Sequence, residues 1–298
     1  MKYIIFHHDD LDGYASGYIT KKSIKDESAD RNIVTFVCNY EKNSQKDILN
    51  KADIRSDDIV YIVDYCFEDK YMKILFEKLG NNLIWIDHHS TAIERMKDYN
   101  INGIRDTKFS ATKLCWNYFF SNVKEPIFVQ LIDIFDCWKK NESELWDWNI
   151  SILPFKYALE HENLDLYDNN NVWNELIKND PNFIRKLLID GTVIKNYVDK
   201  KYIEEAKNKS YVIEFEGCRA LTINSYGSGS LPLEETFDPS IHDIMLTYSI
   251  GNNKLINVGL YTTKKDFHVG NIAKKFGGGG HPGAAGFSLP ISELNKLI

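Results

Sequence analysis

Through the first half of the chain, short apolar runs alternate with longer stretches of helical period. Runs rich in β-branched and aromatic residues predict strands at Tyr3–Phe6, Ile33–Cys38, Ile59–Val63 and Leu83–Ile86. Apolar positions at helical spacing predict helices around Tyr14–Ser23, Ser44–Ala52, Lys70–Leu79, Ser110–Phe120 and Pro126–Phe135. Parallel strands need crossover connections, so this alternation predicts a parallel sheet covered by helices. The texture changes near Pro181. From there to Lys209 the chain is charged and helix-periodic, with Gly191 its one strong break, and predicts a connecting helix or helices. Shorter strand-like runs follow at Tyr211–Phe215, Arg219–Ile223, Ile244–Ile250 and Leu255–Tyr261, then a helical turn near Val269–Phe276 and a glycine-rich segment. The expectation is an α/β protein of two domains: a larger parallel-sheet domain over 1–185, a helical linker over 186–210, and a smaller α/β domain over 211–298.

Composition leaves this picture intact. With 298 residues, 43% hydrophobic and 27% charged, the chain has room for two cores of unequal size. The opening MKYIIFHHDD turns acidic too soon for a secretory signal, and no apolar run approaches the roughly 18 residues of a membrane span. A cytoplasmic protein is expected. Five scattered cysteines, odd in number and never in C-x-x-C spacing, argue for reduced thiols rather than a disulfide framework or structural zinc. The net charge of −7 argues against a basic surface that coats long nucleic acid, but not against a small substrate held locally.

The chemistry is concentrated where apolar runs end. YIIF leads into His7, His8, Asp9, Asp10 and Asp12; YIV leads into Asp64; IWI leads into Asp87, His88 and His89; and Asp136 closes the helical run that starts at Pro126. In open parallel sheets ligands collect beyond the carboxyl ends of the strands, so three strands would deliver acids and imidazoles to one edge. Any one of these aspartates alone reads equally well as a helix cap. Together they are too many like charges to gather without a cation. Carboxylates and imidazoles without thiolate suit Mn²⁺, Mg²⁺, Zn²⁺, Co²⁺ or Fe²⁺. The loop is not an EF-hand, since Ile19 occupies the place of the closing glutamate. Five carboxylates exceed what one ion needs, whereas two ions about 3.5–4 Å apart would use them through a shared aspartate. Such a pair activates water and stabilises charge on phosphoryl oxygens, which predicts phosphate-ester hydrolysis.

The second notable segment is GGGGHPGAAG at 277–286. It formally contains G-x-G-x-x-G, but no strand–turn–helix unit with a downstream acid follows, and no Lys-Ser/Thr makes it a Walker A loop. Its glycines can bring backbone N–H groups close to an anion, with His281 beside them. The plain alternative is a flexible connection. Lys264, Lys265, Lys274 and Lys275 would add local positive charge, although surface lysines are commonly just solvated.

These motifs resemble the DHH phosphoesterase superfamily, in particular members with a DHHA1 domain. The residues that carry the resemblance are HHDDLDG at 7–13, VD at 63–64, DHH at 87–89, Asp136 shortly before Trp138, and GGGGHPGAAGF at 277–287. The resemblance spans essentially the whole chain and implies a catalytic domain, a helical connection and a substrate-binding domain that closes over the cleft. It implies that His8, Asp10 and Asp64 hold one metal, and that Asp12, Asp64, His88 and Asp136 hold the other, with Asp64 bridging. Asp87 would orient a neighbouring imidazole or itself touch metal, and His89 would face the scissile phosphate. Gly279, Gly280 and His281 would grip the far phosphate or terminal nucleotide. His8 is preferred to His7 by its spacing to Asp10, and Asp136 to Asp133 because Asp133 falls inside the helical run. Many members carry an arginine near VGLYTT at 258–263, where this chain has Tyr261 and Thr262, so the substrate grip departs from the pattern there.

The oligoribonuclease-like branch is the nearest match, which implies trimming of very short RNA to 5′-mononucleotides with Mn²⁺ as first choice and Mg²⁺ or Co²⁺ as alternatives. Few phosphates then need neutralising, as suits an acidic protein, and Trp138 or Tyr261 are candidates for stacking a base. Rival readings are hydrolysis of linear or cyclic dinucleotides, dephosphorylation of 3′-phosphoadenosine phosphate, and pyrophosphatase activity; a nucleotide sensor without turnover is the non-enzymatic one. The expected partner is a short oligonucleotide or dinucleotide, neither a membrane nor long duplex nucleic acid. The oligomeric state stays open, a homodimer included.

Overall fold

The structure is a computed structural model that describes residues 1–298 except 41–43, 141, 227–228, 252 and 298, and leaves out the side chain of Lys296. The first half opens with β1 (Tyr3–His8), α1 (Leu11–Glu27), β2 (Ile33–Cys38), α2 (Ser44–Ala52), β3 (Ile59–Val63), α3 (Asp69–Leu79) and β4 (Leu83–Ile86). Helices α4 (Ser90–Arg95), α5 (Ala111–Phe119), α6 (Ile127–Asp136), α7 (Leu153–Leu159) and α8 (Trp173–Leu176) follow. The four strands form a parallel sheet in the order β2-β1-β3-β4. Tyr3, Ile4, Ile5 and Phe6 are all buried, as a central strand covered on both faces requires.

On one face Ile4, Phe6, Val60, Ile62, Leu83 and Trp85 pack with Phe67 and with Met72, Leu75 and Leu79 of α3. Helices α1 and α5 pack against each other, and α1 lies against β1. Both outer edges of the sheet are covered, which protects them from pairing with another chain. Tyr167 covers β2: its hydroxyl accepts from Thr35 N and donates to Thr35 O, both at 2.8 Å. An extended segment covers β4, with Trp85 N donating to Asn102 O at 2.8 Å and Asp87 N to Ile104 O at 3.1 Å.

The predicted α9 is one helix, Pro181–Lys209, with Gly191 inside it. Gly191 is needed where it is, because a Cβ there would overlap the Pro154 carbonyl of α7. The pattern gave no forewarning of α7 or of the π turn Trp148–Ile152 before it. Its sequence, WNISILPFKYAL, is apolar without a clean period, and most of its side chains are buried.

The chain divides into two compact units, Met1–Lys195 and Asn196–Ile298. The second contains β5 (Tyr211–Phe215), β6 (Cys218–Asn224), α10 (Leu231–Glu234), β7 (Ile244–Ile250), β8 (Leu255–Tyr261), α11 (Val269–Lys275), β9 (Gly279–Gly280) and β10 (Ala284–Pro290). Its sheet runs β5-β6-β7-β8-β10-β9; β6 and β7 are parallel and the other pairs antiparallel. Ile244, Leu246, Ile256, Val258 and Leu260 pack with Val269, Ile272 and Ala273 of α11. Phe276 stacks on Phe287 at 4.5 Å between ring centroids. No described helix is long and apolar enough to cross a membrane.

Candidate metal centre

The parallel register brings the carboxyl ends of β1, β3 and β4 to one edge of the first sheet, with His7 opposite Val63 and Val63 opposite Ile86. Beyond β1 the chain turns at once into α1. Asp10 caps that helix by accepting from Gly13 N at 2.8 Å. Gly13 is required at this turn, since a Cβ would overlap the His8 carbonyl oxygen. The two histidines of β1 point to opposite faces, as the period of a strand demands. His7 is buried against Tyr14, and burial holds its pKa down at about 4, so it is a neutral packing residue. His8 turns to the cluster instead. Its Nδ1 lies 2.6 Å from Asp10 Oδ2 and 3.9 Å from Asp64 Oδ2. Burial opposes the charged imidazole, but Asp10 beside it prevails and raises the His8 pKa.

Asp64 is the junction of the cluster. It ends β3 in the left-handed region at φ 55°, a conformation that aspartate tolerates better than most residues. Its amide is held by Ile86 O at 2.9 Å. His88 Nε2 lies 3.2 Å from Asp64 Oδ1, 3.3 Å from Asp136 Oδ2 and 3.6 Å from Asp12 Oδ2. Among the groups of donor atoms close enough to share one cation are His8–Asp10–Asp64 and Asp12–Asp64–His88, with Asp64 in both; Asp64 also groups with Asp87 and His89. Asp136, the last residue of α6, reaches the second group through His88.

The remaining aspartates show how such a cluster is held. Asp12 sits in the first turn of α1, and its two oxygens accept from Ala111 N at 2.7 Å and Thr112 N at 2.8 Å. The amino end of α5 thereby stabilises its charge. Asp87 takes four donors: His88 N, His89 N and His89 Nδ1 on Oδ1, and Trp85 Nε1 on Oδ2, at 2.7 to 3.2 Å. Burial pushes its pKa up, but His89 and His88 outweigh this and hold the carboxyl below its usual range. Asp133 lies outside the cluster, accepting from Ser110 N at 2.8 Å and from Lys139 Nζ at 2.7 Å.

Asp64 is the opposite case. Neither of its oxygens, nor Asp136 Oδ2, accepts a hydrogen bond, apart from their ion-pair contacts with histidine. Burial first, and then the crowd of Asp12, Asp10, Asp136 and Asp87, drives the Asp64 pKa well above the ordinary carboxylate range; burial with Asp12 and Asp10 does the same to Asp136. Buried carboxylates without donors are costly unless something else meets them. A hard divalent cation fits these oxygens and imidazoles. Cys137 also lies beside His88 and Asp136. Burial and the two neighbouring acids push its thiol pKa up, which disfavours the thiolate that a soft ion would want.

In the second unit the glycine-rich segment is ordered structure and not a loose connection. Gly279 and Gly280 pair with Gly286 and Ala285, and His281 N donates to Ala284 O at 2.7 Å. Gly280 adopts φ 136°, and a Cβ at Gly278 would overlap the Gly286 carbonyl. The amide of Gly278 is committed to Ala273 O, so the expected row of amides open to an anion is narrower than the glycine count suggests. Lys264 pairs with Asp243 at 2.7 Å and Lys275 with Glu216 at 2.8 Å, which offsets two of the four lysines nearby. Thr262 caps Asp243 O, and Tyr261 is half-buried.

Sequence reasoning passed over Tyr40 and the α5 amides, and weighed Asp133 only as a rival to Asp136 and Cys137 only as a reduced thiol. Only the amides had a signal, the cap-forming Ser110 before an apolar helical run.

Known proteins resemble this chain in sequence or in fold. Residues 238–298 match the DHHA1 domain model. Oligoribonuclease NrnB of Bacillus subtilis is 25% identical, over 99% of this chain and 75% of its own length. An uncharacterized protein of Acanthamoeba polyphaga mimivirus is 27% identical, over 96% of this chain and 67% of its own. Among solved structures, exonuclease RecJ bound to manganese shares the fold, with a TM-score of 0.50 at 12% identity, covering 99% of this chain and 87% of that one. The DHH domain of a ribosomal-protein family member does so with a TM-score of 0.61 at 16% identity, covering 99% and 84%.

Proposed function

We propose that this chain, a member of the DHH phosphoesterases that carry a DHHA1 domain, hydrolyses the phosphodiester bonds of short oligoribonucleotides to give 5′-mononucleotides, with two divalent ions at the β1–β3–β4 edge. The observation that carries the reading is Asp64: a buried carboxylate shared by two donor groups, with no hydrogen bond to either oxygen. The Bacillus subtilis relative, an oligoribonuclease, supports the choice of substrate class.

In this reading His8, Asp10 and Asp64 would hold one ion, and Asp12, Asp64, His88 and Asp136 would hold the other. Mn²⁺ suits the mixed oxygen and imidazole set, with Mg²⁺ and Co²⁺ as alternatives. Bound there, the ions supply an activated water and offset charge on the phosphoryl oxygens. Asp87 fixes the His89 ring through Nδ1, and His89 faces the scissile phosphate. Water adds at phosphorus, the bond to the neighbouring 3′ oxygen breaks, and that oxygen leaves with a proton. Gly279, Gly280 and His281 grip the far phosphate or terminal nucleotide.

The test is hydrolysis by the full chain with Mn²⁺ of labelled di- to pentaribonucleotides, cyclic dinucleotides, 3′-phosphoadenosine 5′-phosphate and pyrophosphate. Conversion of the linear oligonucleotides to 5′-mononucleotides, faster than any other member of the panel, is the expected result. Hydrolysis of none of them with any divalent ion overturns the enzymatic reading. A preference for a cyclic dinucleotide or for the bisphosphate moves the substrate assignment to that compound. For the grip, His281→Ala should raise KM more than it lowers kcat.

A further inference from the structure

Tyr40 lies two residues beyond Cys38, the residue of β2 that pairs with His8, and so on the sheet edge that carries the metal-type ligands. It is the outermost member of an aromatic stack rooted in the core. Phe6 meets Phe67 edge-on at 5.1 Å, Phe67 meets Tyr65 edge-on at 5.0 Å, and Tyr65 stacks on Tyr40 at 4.8 Å with 29° between the rings. Tyr65 follows Asp64 directly, is fully buried, and donates its hydroxyl to Asn39 O at 3.0 Å, which anchors the residue before Tyr40. The Tyr40 ring lies 5.4 Å from the His8 ring, yet 55% of the residue is exposed. Large aromatic side chains are normally buried or paired. Here one is supported from behind, turned outward, and set beside the cluster.

We propose that Tyr40 is the stacking surface for one nucleobase of the substrate, the base of the nucleotide whose phosphate meets the His8–Asp10–Asp64 group. The inference rests on the preceding functional reading and adds to it a subsite in the first unit. A ring already stacked on a buried neighbour has little freedom left to lose when a base covers it. Stacking is tolerant of base identity because every base offers a π face. The subsite therefore predicts a requirement for a base with little preference among bases.

The test compares wild type, Tyr40→Phe and Tyr40→Ala on three substrates: an intact diribonucleotide and the same compound abasic at the first or at the second position. A methylene-linked, nonhydrolysable dinucleotide carrying 2-aminopurine reports stacking independently through its fluorescence. Circular dichroism verifies that each variant is folded. The expected result is that Tyr40→Ala raises KM for the intact substrate about 5- to 100-fold, with kcat moved far less. Tyr40→Phe, which keeps the ring, should stay near wild type, and removing the base should cost wild type what Tyr40→Ala costs. The 2-aminopurine emission should be quenched by wild type and Tyr40→Phe only. Equal quenching by all three proteins, equal KM for intact and abasic substrates in wild type, or equal damage from Phe and Ala overturns the proposal. Failure of the functional reading is a different outcome, since hydrolysis would then be absent for every substrate while the quenching still reports the stack.

Discussion

The ends of β3 and β4 each place one aspartate in the interior, and the two are treated in opposite ways. Asp87 is surrounded by donors, from the Trp85 indole to the His88 and His89 amides and the His89 ring, and its pKa is held low. Asp64, one strand away, accepts no hydrogen bond beyond its ion-pair contacts with His8, His88 and His89, and its pKa is driven up. Proteins rarely leave a buried carboxylate in the second condition, because desolvation without compensation works against folding. The difference separates two functions. On the functional reading proposed above, Asp87 is an anchor whose acceptor capacity is used inside the protein, whereas Asp64 keeps its capacity for a cation. The same contrast predicts opposite responses to mutation.

The largest effect is expected at Asp64. Asp64→Ala should lower dinucleotide hydrolysis in Mn²⁺ by about 10³-fold or more, since it removes a group on which the whole site acts as a unit. Metal should also cease to stabilise the fold. Wild type should gain about 2.7 kcal/mol at an ion concentration of a hundred times Kd, and thermal unfolding with and without Mn²⁺ measures that gain. The isosteric Asp64→Asn should leave the metal-free protein as stable as wild type or more so, because it removes a like charge from the crowd. A metal-free Asn variant clearly less stable than wild type would show that the Asp64 charge is already compensated, and the contrast with Asp87 would collapse.

Asp87 should behave in reverse. Asp87→Ala strips the acceptor from Trp85 Nε1, two amides and His89 Nδ1 together, and should cost about 3 kcal/mol in urea unfolding whether or not metal is present. Metal affinity should suffer only indirectly, through the His88 and His89 backbone. If the loss of stability appeared only with metal bound, Asp87 would itself be a ligand.

This division was only partly legible in the sequence. The four parallel strands could be read residue for residue at β2, β3 and β4, because central strands are short, continuous and apolar between polar turns. Which residues gather at the carboxyl edge followed from that topology, and the structure does bring His8, Asp10, Asp12, Asp64, His88 and Asp136 together. Their partners were not legible. Asp12 meets Ala111 and Thr112 a hundred positions away, and nothing local to either segment encodes that contact. Trp148 to Leu159 was missed for a different reason: buried on several sides, it has no polar face from which to read a period. Tyr40 was passed over because a lone tyrosine after a strand carries no signal until its exposure is seen.

Asp133 offers a third, milder position between the two extremes. It binds Ser110 N, the capping residue of the helix whose next two amides hold Asp12, and it is tied to Lys139. Among the described residues its hydrogen bonds go to Ser110, Cys137 and Lys139 and to no residue of the two donor groups, so its expected route to the centre is the placing of α5. Asp133→Ala should cost about 1–3 kcal/mol of stability through the donors left behind, Ser110 N, Lys139 Nζ and the weak Cys137 thiol. It should weaken divalent-ion binding by about tenfold, in the range found for partners that position metal ligands. Calorimetric titration with Mn²⁺ measures the second effect. Asp133→Asn, which retains an acceptor for Ser110 N, should recover most of the affinity. If both variants bound metal as wild type does, the amino end of α5 would be held without Asp133.

The smallest effect, and the sharpest test of where the centre stops, belongs to Tyr65. It follows Asp64 in sequence but faces the core, and its hydroxyl donates to Asn39 O and also meets the Gln45 side chain. Tyr65→Phe keeps the ring that supports Tyr40 and removes only the hydroxyl's bonds, so it should cost about 1–2 kcal/mol. Metal affinity should stay within threefold, because the Asp64 backbone is fixed separately by Ile86 O. A larger loss of affinity would mean that the left-handed turn at Asp64 depends on the hydroxyl. The aromatic wall and the metal ligands would then be one cooperative unit, and the distinction drawn between the ends of β3 and β4 would have to extend to the β2–α2 connection as well.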